Sequence, residues 1–266
     1  MFLGLDLGSL TCDAVLLDAD GRVVAWSVVP TGARHTDAVA RARAEVLARA
    51  GVREDQVLAV VSTGYGRERV EQRLAAVTEI TCHARGILYR LPGTEVLLDI
   101  GGQDSKAIRI GAGGKVLDFA MNDRCAAGTG RFLEVMARAL EVEPADLGDL
   151  DARADQAVPI TATCTVFAES EVVGLLAAGV EVPPIVRGLH RAIASRAQAL
   201  VRRVAGGLSS PRMAMSGGVA RNQGVVRAVS EALGWPISVP PEPDTIGALG
   251  AALIAKERFE SARSRP

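Results

Sequence analysis

Aromatic residues are scarce in this chain: five Phe, two Trp and two Tyr among 266 residues. That is too few for a platform on which nucleic-acid bases stack. An excess of positive charge is also missing, since 30 Lys and Arg against 31 Asp and Glu leave a net charge of -1, whereas nucleic-acid binders carry a basic stripe. No apolar run reaches the ~18 residues that a membrane helix needs. No basic leader with a cleavage site precedes the apolar run Phe2 to Leu7. The four cysteines (Cys12, Cys82, Cys125, Cys164) are far apart and form no CxxC pair, too sparse for a disulfide scaffold. A soluble protein of the reducing cytoplasm is expected, with neither nucleic acid nor membrane as partner. Two phosphate-binding signatures are lacking as well: there is no GxxxxGK[ST] loop and no GxGxxG run.

Glycine is plentiful, at 28 residues, and hydrophobic residues reach 48%, so a proper core can form around several tight turns. The chain also resembles itself. Leu3-Gly4-Leu5-Asp6-Leu7-Gly8-Ser9 matches Val96-Leu97-Leu98-Asp99-Ile100-Gly101-Gly102, and at the same 93-residue offset Val15 and Leu17 fall on Ile108 and Ile110, and Gly21 on Gly114. Each copy reads as a β-hairpin with a Gly-rich turn, followed by a second tight turn and strand. Helices are expected from Thr36-Asp37 to Ala50, from Thr129 through Leu140, from Pro183-Pro184 through Val204, from Asn222 to Leu233 and from Thr245 to about Phe259. Strands before helices, twice over, predict an α/β protein of two similar halves, 1–93 and 94–266, packed around a cleft.

A strand ending in Asp and followed by a Gly turn has a plausible chemistry. Backbone N–H groups of the turn form a concavity for phosphate oxygens, and the carboxylate holds Mg²⁺ through water. This marks Asp6, Gly8 and Ser9 in the first copy and Asp99, Gly101 and Gly102 in the second. Gln103 and Asp104 follow the second turn directly, where a side chain can orient an attacking water. A third site, Met213-Ala214-Met215-Ser216-Gly217-Gly218, runs from a short apolar strand into glycines and on to Asn222, and suits a flat ring lying against backbone.

These residues carry a family resemblance. Asp6-Leu7-Gly8-Ser9, Asp99-Ile100-Gly101-Gly102-Gln103-Asp104 and Ser216-Gly217-Gly218 resemble the two phosphate motifs and the adenosine motif of the actin, Hsp70 and sugar-kinase superfamily. Thr63-Gly64-Tyr65-Gly66-Arg67, Cys82-His83-Ala84-Arg85-Gly86, the run Met121 to Phe132 around Cys125 and the run Thr163 to Glu171 around Cys164 are similar to the activators (component A) of 2-hydroxyacyl-CoA dehydratases, within the BadF/BadG/BcrA/BcrD-type ATPases.

The resemblance implies duplicated ribonuclease H-like (actin-like ATPase) halves with a nucleotide cleft between them. It implies ATP or ADP with Mg²⁺ at Asp6, Gly8, Ser9, Leu10, Thr11, Asp99, Gly101, Gly102, Gln103, Asp104, Gly217, Gly218 and Asn222. It further implies a homodimer sharing one [4Fe-4S] cluster, with Cys125 and Cys164 of each chain as ligands and four thiolates in all. The partners would be a dehydratase or related double-cluster reductase as electron acceptor and flavodoxin or ferredoxin as donor. Helix N–H groups near Thr129 are expected to face the cluster. Cys12 and Cys82 read as buried hydrophobes, His83 as a structural polar contact, and Glu169 and Glu171 as solvated or capping. The first motif departs from the family pattern: where Thr and then Lys are common, Leu10 and Asp13 stand. A subunit of a benzoyl-CoA reductase-type complex, a small-molecule kinase of the same superfamily and a non-catalytic nucleotide-binding module are the competing readings.

Overall fold

A computed structural model describes residues 1–122, 126–161 and 164–264. In chain order its elements are β1 (Phe2–Leu7), β2 (Thr11–Leu17), β3 (Val23–Pro30), α1 (His35–Ala50), β4 (Ala59–Thr63), β5 (Ala75–Ala76), α2 (Glu79–Arg90), β6 (Val96–Ile100), β7 (Ser105–Ile110) and β8 (Val116–Asn122). There follow α3 (Gly130–Ala139), α4 (Leu147–Ala152), α5 (Thr165–Ala177), α6 (Val182–Ala205), β9 (Met213–Ser216), α7 (Gln223–Leu233), β10 (Ile237–Ser238) and α8 (Ile246–Arg263).

The duplication read from the sequence is a duplication of topology. One sheet has the order β3-β2-β1-β4-β5 and the other β8-β7-β6-β9-β10, so each strand of the first has a counterpart in the second. In each, an antiparallel hairpin is extended by a parallel strand on its other side: β1 pairs with β2 and β4, and β6 with β7 and β9. The central strands β1 and β6 are buried along their whole length, which explains their near-continuous apolar runs.

By contact the chain divides into two compact units: residues 1–94 with 110–117 and everything from Pro240 onward, and residues 95–109 with 118–239. Chain order alone had put 94–266 in one half. The last helix belongs instead to the first unit, because its small residues fit that unit's backbone. A Cβ on Gly4 of β1 would collide with Ala248 O and Ala252 N, and one on Gly250 with the Cys82 carbonyl of α2. In α8 all of Ile246 to Ala252 is buried, so it is apolar all round rather than on one stripe.

In the second unit α3 has the expected stripe: Phe132, Leu133, Met136 and Leu140 are all buried in one cluster, each contributing about 1.5–3 kcal/mol by removal from water. Helix α6 starts on its prolines and stops at Gly206, which takes the left-handed conformation that favours glycine. Helix α7 starts at Asn222, whose side-chain oxygen accepts from the N–H groups of Gly224 and Val225. Helices α2, α4 and α5 were not expected from the sequence. No helix among the described residues is long and apolar enough to cross a membrane.

Gly250→Ala forces α8 off α2 by inserting a methyl against backbone that cannot yield. It should lower stability by about 1–3 kcal/mol or more, read as a shift in denaturant midpoint, whereas Gly179→Ala, which would meet nothing within 4 Å, is limited to the strain of its positive φ.

Candidate functional site

The two Gly turns are built alike. In the first, Gly8 N–H donates to Thr11 O at 2.9 Å; in the second, Gly101 N–H donates to Asp104 O at 3.0 Å. The same bond at the 93-residue offset fixes both loops in one shape. Thr31 secures the first loop by donating its hydroxyl to Gly8 O at 2.9 Å. Gly8, Ser9, Leu10 and Thr11 are half-buried, as are Gly101, Gly102 and Asp104, while Gln103 is exposed.

Asp6 and Asp99 occupy equivalent positions near the ends of β1 and β6, and both are buried, at 8% and 2% exposure. In register across each hairpin Asp6 faces Asp13, and Asp99 faces Lys106. Lys106 Nζ lies 3.4 Å from Asp99 Oδ2 and 2.8 Å from Asp104 Oδ2. On the other side Ser216 of β9 donates its hydroxyl to Asp99 Oδ1 at 2.7 Å. Asp99 is thus a buried carboxylate with a neutralising cation and a hydroxyl donor, the condition under which a buried charge is tolerated.

The third glycine site adjoins this one. Gly217 has φ 83°, and a Cβ there would collide with Ile100 O and approach Asp99 Oδ1. Only glycine lets the turn after β9 come this close to the end of β6. Gly217 is buried, Gly218 exposed and Asn222 half-buried. The structure therefore brings Asp99, Gly101, Gly102, Asp104, Gly217 and Gly218 into one neighbourhood of the second unit, and Asp6, Gly8, Ser9, Leu10 and Thr11 into another of the first.

Helix α3 is tied to the second turn. Gly130 N–H donates to Gly101 O at 2.9 Å and Arg131 N–H to Gly102 O at 2.8 Å. These first N–H groups of α3, near which the sequence reading expected a cluster, donate to the turn. Thr129 stands at the N-cap, but its hydroxyl donates to Ala126 O at 2.6 Å rather than capping the helix.

Of the two cysteines assigned to a cluster, Cys125 lies outside the described residues. Cys164 is exposed, whereas Cys12 and Cys82 are buried, and burial pushes the thiol of Cys82 up to about 12 and that of Cys12 higher still. Cys164 is the N-cap residue of α5, and its side chain makes no capping hydrogen bond there. The Glu171 carboxylate of α5 accepts from the N–H of Thr161 at 3.0 Å and from its hydroxyl at 3.0 Å. The same helix exposes Val166, Phe167 and Val173, at 65%, 69% and 52%. Among the described residues no group of three or more His, Cys, Asp or Glu side chains is arranged to hold a metal ion.

Set against known proteins, residues 3–255 match the BadF/BadG/BcrA/BcrD ATPase family. The chain belongs to this family. It is 46% identical over 255 residues to the activator of lactoyl-CoA dehydratase of Anaerotignum propionicum, covering 96% of this chain and 97% of that one. Among solved structures, the activator of the 2-hydroxyisocaproyl-CoA dehydratase from Clostridium difficile with bound ADPNP superposes with a TM-score of 0.94 at 39% identity, covering 100% of this chain and 98% of the other. Component A of the Acidaminococcus fermentans (R)-2-hydroxyglutaryl-CoA dehydratase gives 0.92 at 42% identity, with 97% and 98% covered. The duplicated α/β halves expected from the sequence are the actin-like ATPase fold of this family.

Sequence reading gave no individual role to several residues around these turns. Lys106 was legible in principle, because it falls on Asp13 at the 93-residue offset. Ser216 carried only the signal of its place before Gly217. Asp151 and His190 carried none: Asn222 Nδ2 and His190 Nε2 are 3.1 Å apart, and His190 Nδ1 is 3.7 Å from Asp151 Oδ1. A Cβ on Gly224 would collide with that ring. Burial alone would raise the pKa of Asp151, but the adjoining His190 and the Arg227 guanidinium outweigh it and bring it down to about 2.

Asn222→Ala removes the α7 cap and should cost about 1 kcal/mol, measured by denaturant unfolding. Because Asp151 has a depressed pKa when folded, the stability it contributes is present above the usual carboxylate value of ~3.9 and is lost as pH falls from there toward 2. Asp151→Asn should lower the melting temperature at pH 7 and flatten its fall between about pH 4 and pH 2.

Proposed function

We propose that this chain is an ATP-hydrolysing activator that delivers low-potential electrons to a 2-hydroxyacyl-CoA dehydratase or a related double-cluster reductase. The observation that carries the nucleotide half of the reading is Asp99: buried, anchored by Lys106 and Ser216, and flanked by glycine turns that let phosphate approach the backbone. In this reading Gly8, Ser9, Leu10, Thr11, Gly101 and Gly102 contact phosphates, Asp6 and Asp99 hold Mg²⁺ through water, and Gly217, Gly218 and Asn222 line the adenosine. Gln103 and Asp104 orient the attacking water. Phosphoryl transfer asks for such positioning rather than for covalent chemistry. The residues fit the cation, since hard carboxylate oxygens are what Mg²⁺ selects.

The electron half rests on Cys164 and Cys125. The exposed Cys164 thiol at the N-cap of α5 fits a thiolate ligand held in common with a second copy of the chain, and the exposed Val166 and Phe167 beside it are a surface that such a copy would cover. When bound, a [4Fe-4S] cluster supplies one-electron transfer. The chain's own contribution is to hold thiolates at helix ends and to link them to the nucleotide turn: α3, which follows Cys125, is hydrogen-bonded at its first residues to Gly101 and Gly102. Flavodoxin or ferredoxin is the electron donor in this scheme, and the working unit is a symmetric homodimer.

Asp99→Asn should cut ATP hydrolysis by about a hundredfold or more with the melting curve still cooperative; turnover like wild type would overturn the nucleotide assignment. Anaerobic purification should give a brown dimer with about four iron atoms. Cys164→Ala and Cys125→Ala should each lose the iron and keep nucleotide binding, while Cys12→Ala keeps both. Retention of the full iron content by Cys164→Ala would end the cluster assignment.

A further inference from the structure

Helices α4, α6 and α7 of the second unit pack on one another, and a buried polar chain runs through their meeting point. Asp151 of α4 is 3% exposed and His190 of α6 is 0% exposed. The chain ends at Asn222, whose Oδ1 accepts from the N–H groups of Gly224 at 2.9 Å and Val225 at 3.2 Å. Backbone N–H groups only donate, so this cap settles which way round the amide lies. Its Nδ2 faces His190 Nε2 at 3.1 Å, and Nε2 is therefore the acceptor. The ring's hydrogen then sits on Nδ1, 3.7 Å from Asp151 Oδ1. At that separation no hydrogen bond forms, and the carboxylate orients the ring through its charge. Asp151 is held in turn by Arg187 Nε at 3.3 Å and by the Arg227 guanidinium. Asn222 also closes the turn after β9: Ala220 N–H donates to Gly217 O and Asn222 N–H to Val219 O, both at 3.0 Å. One end of this turn is fixed by the approach of Gly217 to Ile100, the other by the Asn222 side chain.

We infer that His190 and Asp151 are positioning residues for adenosine: His190 holds the Asn222 end of the turn, and Asp151 keeps the ring in the tautomer that accepts. This rests on the proposed nucleotide reading, in which Gly217, Gly218 and Asn222 line the adenosine. His190 is fully buried, so it acts through Asn222 and touches no nucleotide itself. Without the ring's acceptor the Asn222 amide loses its partner across the helices, while its cap on α7 stays. The helix start is therefore kept and the turn loses its second anchor. Phosphate sits on other backbone in this reading, at Gly101 and Gly102, so the loss falls on adenosine alone. A histidine that served only to fill the core would need no acceptor toward Asn222, and an apolar side chain of similar size would replace it without effect on nucleotide.

The test compares His190→Leu, which fills the space without an acceptor, with His190→Gln, whose Oε1 replaces Nε2 as acceptor, in the anaerobically purified full-length chain. His190→Leu should raise the KM for ATP about tenfold with kcat kept, the pattern of binding lost equally from ground state and transition state. His190→Gln should restore the wild-type KM. Inhibition by inorganic tripolyphosphate, which carries no adenosine, should be the same in all three chains. An unchanged KM in His190→Leu, a fall in kcat in its place, or a KM in His190→Gln as high as in His190→Leu overturns the inference. So does tripolyphosphate inhibition weakened as much as ATP binding, which marks a general loosening of the unit. Should circular dichroism show His190→Leu unfolded, nitrogen-15 NMR of the wild-type histidine rings decides: hydrogen on His190 Nδ1 supports the inference and hydrogen on Nε2 overturns it. A wild-type chain that hydrolyses no ATP refutes the proposed function and this inference with it, whereas wild-type hydrolysis beside an unchanged His190→Leu KM refutes only the positioning role.

Discussion

A carboxylate buried near the end of a central strand sets the terms for everything around it. At Asp99 the solution is complete within the second unit: Lys106 from β7 supplies charge, Ser216 from β9 supplies a hydroxyl, and glycine at 217 lets the β9 turn close against Ile100. Removing any one leaves a buried charge short of a partner, which costs more than the intact arrangement contributes. The requirement reaches outward from there. Gly217 must be glycine because of where Asp99 sits, and β7 must be in register to bring Lys106 opposite it.

The first unit keeps the frame and changes the occupants. Its turn has the same Gly N–H to carbonyl bond and its sheet the same strand order, yet Asp13 stands where Lys106 does. Shape is conserved between the units by hydrogen bonds that depend on backbone alone, so side-chain charge was free to diverge. Position 13 is accordingly the place where the first hairpin differs most in charge from the second.

How much was legible in the sequence follows from which forces leave a local trace. The hairpins were readable because alternation and Gly turns are local, and the offset between copies supplied a second witness. Helix α3 was readable because its apolar stripe faces one way. Helix α5 was not: it buries only Ala168 and Val172 while exposing Val166, Phe167 and Val173, so no one-sided pattern marks it. Helix α8 was found as a helix but assigned to the wrong unit, because its allegiance is written in close backbone approaches at Gly4 and Gly250 rather than in periodicity. At the candidate site the glycines and aspartates announced themselves by spacing. Ser216 and His190 act through contacts between elements far apart in the chain, and a single sequence holds no trace of that.

The hydrogen bonds from α3 to Gly101 and Gly102 carry the last step. A glycine turn that binds phosphate through its N–H groups has its carbonyls pointing elsewhere, and here two of them accept from the first residues of a helix. A shift of the turn therefore moves the helix start with it, since breaking either bond would leave a helix N–H without its acceptor. Gly128, at φ 93°, marks the bend just before α3, and its Cβ position is 3.1 Å from the Arg196 side chain of α6. The bend at Gly128 is thus followed at once by backbone bonds to the turn and is met on its other side by the Arg196 side chain of α6. The link from the turn to α3 consists of two carbonyls and two amides, with Gly128 at the bend.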